Sequence, residues 1–282
     1  MTKEEFLTNK EVVDFIDFLK IRINNSEVFT HAYLLNKPKN TRWHCHSIFN
    51  AFENYHWHFK CQFPNTENST KGKNYIESEK VLLELQRGLK HAMDTNNEIE
   101  FQNYCIAVLQ WGGVLSHNKN RILSTPNIIR YFKLNVEKLI NPSLDTTNDF
   151  SSIHMNAGYT KIYSLLIDDF VIYDGRVGAA IGLLVRMFLY EEKKESIPET
   201  LDFAYGNPKL SNSNKIELKK RNPSDFQFKF KSLSNNSKRH INNNIRANWL
   251  LEKVAMESKF NLLERPLRSL ESALFMIGYD VR

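Results

Sequence analysis

The chain has 282 residues and a net charge of +6, long enough to bury a sizeable core as one large domain or two lobes. Its apolar and charged fractions are those of an ordinary soluble protein, and no apolar run approaches the roughly 20 residues of a helix that spans a bilayer, so no such helix is expected. The basic balance, with a pI near 9.0, invites a polyanionic partner.

Cys45, Cys61 and Cys105 are too few and too unevenly spaced for a disulfide framework, and an odd count suits a reducing compartment. The first residues, MTKEEFLTNKEVVDF, carry charges throughout and lack an apolar signal core. A cytoplasmic monomer is expected.

In chain order, Val12, Phe15, Ile16 and Leu19 predict an amphipathic helix, and Phe29 to Leu35 reads as a strand or an irregular packed segment. Ile48, Phe49, Phe52 and Tyr55 predict a helix with an aromatic face. Around it crowd His44, Cys45, His46, His56, His58 and Cys61, but their H-x-H spacings fit a tetrahedral zinc site poorly, so no metal is expected there. Pro64 to Asn74 is polar and without periodicity, a surface connection that divides an N-terminal lobe, 1–75, from a helical core, 76–282, unless the two form one continuous domain.

Leu82, Leu85, Leu89 and Met93 mark the next helix, and Phe101, Cys105 and Val108 another, which runs into Trp111-Gly112-Gly113. Adjacent glycines stop a helix and permit close backbone approach, so Trp111 is a candidate pocket wall. Thr125-Pro126 predicts a helix start, with Ile129, Phe132, Val136 and Leu139 carrying it to Asn141-Pro142.

Gly158 to Arg186 combines a dense apolar pattern with unusual local chemistry. Ile162, Leu165 and Leu166 mark one helical face, Phe170 to Tyr173 form an apolar run too short for a helix, and Val177, Ile181, Leu184 and Phe188 recur at helical spacing. Asp174 then falls where the second helix begins, as a cap meeting the positive end of the dipole. Asparagine there keeps the cap, so Asp174→Asn is expected to cost little stability. Gly178 and Gly182 inside that helix cost about 1 kcal/mol each relative to alanine and predict close packing. Lys161 sits in the first turn of the preceding helix, where a cation opposes the dipole, an environment that activates amine nucleophiles.

The order Gly158, Thr160-Lys161, aliphatic helix, apolar run, Asp174 and a further helix from Val177 resembles the active-site segment of the helix-hairpin-helix DNA glycosylases, closest to the 8-oxoguanine glycosylase-like and endonuclease III-like branches. Ala157-Gly158-Tyr159-Thr160 replaces the family's Gly-apolar-Gly, and the Lys161 to Asp174 separation is shorter, which marks a divergent branch. The resemblance implies a mainly α, helix-hairpin-helix glycosylase-like fold and a DNA N-glycosylase that excises a damaged or modified base in repair or anti-phage defence. Lys161 is then the amine nucleophile of an enzyme with AP-lyase activity, or an Asp174-activated water attacks in its place and the reaction is lyase-free; Asp174 assists at the sugar in either case, and no cofactor is expected. Trp111, His154 and Tyr159 are the expected base-pocket walls. A non-catalytic nucleic-acid-binding protein on the same scaffold and a metal-dependent nuclease using the histidine-rich segment are the alternatives.

After the charged connector Glu191 to Thr200, ten lysines and arginines between Tyr205 and Leu250 face only Glu217 and Asp225, a local charge of +8 (10 − 2). Phe226, Phe228 and Phe230 alternate with Gln227, Lys229 and Lys231, predicting a little β-structure at 226–231 beside that in the N-terminal lobe. Lys219, Lys220, Arg221, Lys238 and Arg239 are the expected contacts to DNA, with Asn242 to Asn244 as further phosphate ligands. Pro266 opens a last helix whose Leu267, Leu270 and Leu274 face inward and which Gly278 ends.

Overall fold

The computed structural model describes residues 1–35, 41–144, 150–208, 220–234 and 236–282. Periodicity turns into helices where the sequence predicts them. The first is short, α1 (Lys3–Leu7), closed by a capping box between Thr2 and Glu5. Next comes α2 (Lys10–Asn24), which Asn9 caps and which buries Val12, Phe15, Ile16 and Leu19. The hairpin β1 (His31–Leu35) and β2 (Thr41–Cys45) pairs Tyr33 with Trp43, whose rings stack at 4.7 Å. Ser47 caps α3 (Ile48–Glu53).

A second two-stranded sheet pairs β3 (Phe59–Cys61) with β4 (Thr70–Gly72) antiparallel, so part of the polar connection is a strand. Backbone pairing needs no apolar periodicity at an exposed edge, which is why Thr70 to Gly72 gave no sign of it. Then follow α4 (Tyr75–Asp94), α5 (Glu98–Trp111), α6 (Leu115–Ser124) and α7 (Ile128–Ile140). Thr125 belongs to the end of α6, where its hydroxyl donates to the Arg121 carbonyl; the residue before α7 is Asn127, in the left-handed region.

The remaining helices are α8 (Tyr159–Leu166), α9 (Gly175–Glu191), α10 (Ser237–Met256) and α11 (Pro266–Ile277). α9 is buried along most of its length and packs against α11 and α2. The N-terminal helices also pack on α10, and α3 on α11, and their buried side chains belong to the same hydrophobic cluster as those of α9. Among the described residues no helix is long and apolar enough to cross a membrane.

The 226–231 segment is not a strand. Asp225 Oδ1 accepts from the Gln227 and Phe228 N–H groups, and Ser224 Oγ accepts from Phe230 N–H, so the chain turns around side-chain acceptors. Phe228 and Phe230 are buried while Phe226 is exposed, a pattern that mimics strand alternation without a ladder.

The glycines of α9 sit where the sequence requires close approach. A Cβ on Gly178 would collide with the Ala204 carbonyl oxygen, and one on Gly182 would stand 2.6 Å from Pro223 Cγ. Gly182→Leu should therefore destabilise by roughly 1 to 3 kcal/mol through overpacking, despite its better helix propensity. A urea titration checks this, and a stabilised variant would contradict the packing.

Candidate functional site

The site begins with a short extended run that has no partner strand. Buried backbone groups need partners, and here side chains supply them. Val171 N–H donates to Asn248 Oδ1 at 2.7 Å, Ile172 N–H to Glu271 Oε2 at 2.6 Å, and Tyr173 N–H to Thr160 Oγ1 at 3.0 Å. Asn244 Nδ2 donates to the Val171 carbonyl at 3.0 Å, and His240 Nε2 to the Tyr173 carbonyl at 2.6 Å. Burial drops the His240 imidazole to about 4, against the pull of that hydrogen bond. The asparagine-rich start of α10, expected to hold phosphate, instead faces inward at Asn243, which accepts from Ala204 N–H, and at Asn244, which holds this run in place.

So fixed, the run delivers Asp174 to the start of α9. Its Oδ1 accepts from Arg176 N–H at 2.9 Å and Val177 N–H at 3.3 Å, which makes it the predicted cap. Its Oδ2 accepts from Lys161 Nζ at 3.1 Å, and the ammonium also donates to the Ala157 carbonyl at 3.0 Å. Lys161 and Asp174 are both buried, at 4 % and 8 % exposure. Burial alone would raise the Asp174 carboxyl; Lys161 overcomes it, helped by Arg221 and the Arg176 amide, and holds the group at about 2. Asp174 is therefore ionised at any working pH.

Gly112 explains how Lys161 reaches that place. A Cβ there would stand 2.5 Å from Lys161 Cδ and 2.6 Å from its Cε, so the bare backbone after α5 is the surface along which the lysine stem runs. At the head of α8, Asn156 Oδ1 accepts from Gly158 N–H at 2.8 Å and Tyr159 N–H at 3.0 Å. Those amides are thus engaged by the chain's own side chain. α7 ends at Ile140 and α8 begins at Tyr159, and the described residues just before α8, 150–158, form turns and no helix.

Lys161 and Asp174 line a cavity of about 490 Å³, its open mouth included, together with Trp111, Gly112, Ile172 and Val177. The lining also includes Tyr55, which the sequence placed on the aromatic face of α3 but which lies just past its end, and Trp57, Tyr75, Glu79, Arg268, Glu271 and Phe275, which the sequence did not mark. Only about 30 Å³ of the cavity admits the centre of a water-sized molecule, so a larger ligand enters only where the wall gives way, and five of its lining residues are aromatic. Behind that wall the Arg176 guanidinium lies over the rings of Trp57, Phe275 and Tyr279 at 4.7, 4.3 and 4.8 Å.

Of the expected base-pocket walls, Trp111 lines this cavity, while His154 and Tyr159 do not. Those two border a separate depression with Arg121, Thr125 and Ser237, their rings edge to face at 4.6 Å. Tyr159 turns its other side to Phe132, since successive residues of α8 point in different directions. Burial, with Arg121 adding to it, lowers the His154 imidazole to about 4.

The expected DNA contacts also divide. Lys238 is exposed and Arg239 half-buried, and both border a groove with Lys231, Asn236 and Asn242. Arg239 donates to the Ser232 carbonyl at 2.7 Å. Lys220 is buried, with its ammonium 5.2 Å from the Tyr279 ring centre, and so is no surface contact. Arg221 is half-buried and its guanidinium is lowered to about 10 by burial, with Arg176 adding to it and Asp174 opposing. Lys219 lies outside the described residues. Sequence charge alone does not distinguish a lysine on the surface from one folded under α11.

The histidine-rich segment does not converge on a ligand set: among the described residues no three His, Cys, Asp or Glu side chains come together to hold a metal ion. Cys45 and Cys61 are buried, His46 Nδ1 lies 3.0 Å from Ser26 Oγ, and His56 and His58 meet through their Nε2 atoms at 3.0 Å. Compared with known proteins, the chain matches no family model, no curated protein and no solved structure.

Proposed function

We propose that the chain is a DNA N-glycosylase of a divergent helix-hairpin-helix type, acting on a base flipped out of the duplex into the cavity beside Lys161 and Asp174. The observation that carries this reading is the buried contact of Lys161 Nζ with Asp174 Oδ2 at 3.1 Å, on the wall of a cavity lined in part by aromatic rings. An amine nucleophile and a fixed anion side by side are what attack at a sugar C1′ requires, because positive charge develops on the sugar as the base departs. Extrusion is needed since the glycosidic bond is inaccessible inside the stack.

In this mechanism Lys161 first gives a proton to water or to the leaving base. Its nitrogen then bonds to C1′ as the bond from C1′ to the base breaks with its electron pair. Departure of the ring oxygen O4′, which takes up a proton, leaves a protonated Schiff base. Asp174, held near 2, is too weak a base to take the lysine proton efficiently, so its part is electrostatic: it faces the cationic sugar and keeps the amine in register. DNA would lie along the groove of Lys231, Lys238 and Arg239. α10 joins the two regions, since its first turns border the groove and its His240 holds the carbonyl of Tyr173, the neighbour of Asp174.

Borohydride trapping tests the nucleophile. A covalent protein–DNA adduct should form on duplexes carrying the right modified base, assayed across a panel, and Lys161→Gln should lose it. Base release that survives in Lys161→Gln but not in Asp174→Asn would make water the nucleophile. Salt-sensitive DNA binding with no abasic product on any duplex would favour the non-catalytic alternative.

A further inference from the structure

The depression that His154 and Tyr159 border is a second concave site, which the chemistry at Lys161 does not use. It measures about 590 Å³, its open mouth included, and about 300 Å³ of it admits the centre of a water-sized molecule, against about 30 Å³ in the cavity of Lys161. A phosphate group therefore enters it without displacing the wall. Its lining is largely polar, with Arg121 of α6, Thr125, Tyr131 of α7, Ser152, His154 and Ser237 of α10. Among the described residues no aspartate or glutamate lines it.

The hydrogen bonds around it fix where the protons are. Asn156 Oδ1 accepts from Gly158 and Tyr159 N–H, so the Asn156 atom 3.0 Å from His154 Nε2 is the amide nitrogen, which can only donate. With Nε2 accepting, the neutral imidazole carries its proton on Nδ1. The Tyr131 hydroxyl accepts from His154 N–H at 2.9 Å and keeps its own O–H as a donor. Lys138 Nζ donates to Ser152 Oγ at 3.0 Å, which sets a cation beside the depression. Arg121 is exposed, and its guanidinium has no hydrogen bond or ion pair among the described residues. Its charge reaches both rings: it adds to the burial that lowers the His154 imidazole, and it opposes the burial that raises the Tyr159 phenol.

We infer that this depression seats one backbone phosphate of the DNA strand whose base is removed, with the Arg121 guanidinium as its counter-ion and Tyr131 and His154 as neutral donors. The identity of the strand rests on the glycosylase reading; the anion does not. A hollow that offers donors and no acid fits a phosphodiester, whose two free oxygens the planar guanidinium can pair while neutral donors take the remaining lone pairs. The seat also has a place along the strand. Asn156 ties it to the catalytic helix, since the same side chain holds His154 and the amides at the head of α8, where Tyr159 precedes Lys161 by two residues. On the other side Ser237 opens α10, and the next two residues, Lys238 and Arg239, border the basic groove. A strand that follows the groove and passes Ser237 is then held by Arg121 on its way to Lys161.

The test is fluorescence anisotropy of the intact protein across a salt series, on a short duplex carrying one stable abasic-site analogue, which fixes the register without a cleavable base. Arg121→Gln should weaken binding about tenfold near 0.1 M salt and lower the slope of log K against log salt by about 0.9, the share of one phosphate. Arg121→Lys should keep the slope. Tyr131→Phe, which removes a neutral donor, should weaken binding about threefold and leave the slope unchanged. Single phosphates around the analogue are then replaced by uncharged methylphosphonates. One position should cost the wild type about tenfold and cost Arg121→Gln nothing further. An unchanged slope in Arg121→Gln, or no methylphosphonate position whose cost depends on Arg121, would overturn the inference. So would Arg121-dependent binding of a nucleoside 5′-monophosphate with an unchanged slope on DNA, which would make the seat one for a free nucleotide. The borohydride trap judges the glycosylase reading separately. Adducts without an Arg121-dependent phosphate would keep the enzyme and discard the seat, whereas an Arg121-dependent phosphate with no base release on any duplex would keep the seat and discard the enzyme.

Discussion

We expect Asp174→Asn to lower base release by roughly 10²- to 10³-fold, the usual cost of removing one preorganised electrostatic contact from a transition state. The same variant should also lose stability, contrary to what the helix cap alone predicts. Asparagine keeps an oxygen for the Arg176 and Val177 amides, so the cap survives. What disappears is the charge that balances Lys161, which is 4 % exposed, and that Arg221 and Arg176 also feel. The carboxyl falls from 3.8 to about 2 on folding, a difference worth about 2 kcal/mol. Because the folded value is depressed, that contribution is complete above pH 4 and is lost as pH falls through 2. Urea titrations of the two proteins should differ by about this amount at pH 7 and converge toward pH 2. Lys161→Met added to Asp174→Asn should recover part of the loss, since a neutral pair leaves no buried charge unbalanced. Full base release by folded Asp174→Asn would remove the residue from the chemistry.

The sequence contained the helices and the pair, but not the surroundings of the pair. Ile162, Leu165, Val177, Ile181 and Leu184 show their burial as a period, and Asp174 shows its role because a helix can start only where its amides find an acceptor. Gly112, Gly178 and Gly182 signalled close approach correctly, though not what approaches. The cavity walls Tyr55, Glu79 and Phe275 come from separate parts of the chain, and each looks locally like an ordinary helix or loop residue. Polar residues were misread for a related reason. Asn243 and Asn244 have the chemistry of phosphate ligands, but the same groups serve buried backbone, Asn243 accepting from Ala204 N–H and Asn244 donating to the Val171 carbonyl of the extended run. Only the fold reveals which need they meet.

The largest stability effect is expected at Arg268, on α11. Its guanidinium donates to Glu271 Oε2 at 2.5 Å and to the carbonyls of Ser164 and Phe170 at 3.4 and 3.3 Å, while Glu271 holds Ile172 N–H. Arg268 and Glu271 are both under one-tenth exposed. One ion pair thus ties the end of α8 and the extended run to α11, two residues before Asp174. Arg268→Leu should destabilise by about 3 to 5 kcal/mol, because it leaves a buried carboxylate without its cation. Burial already raises the Glu271 carboxyl above its ordinary 4.5 even with Arg268 opposing, so its removal raises the group further. A raised carboxyl is stabilising on the acid side and costs stability as pH climbs from 4.5 through the folded value. The deficit of Arg268→Leu should therefore be smaller at pH 5 than at pH 7. Adding Glu271→Gln, whose carbonyl still accepts from Ile172, should restore part of the loss at pH 7 and flatten the pH dependence. A deficit of the same size at both pH values would show that lost packing around the guanidinium, and not the stranded charge, sets the cost.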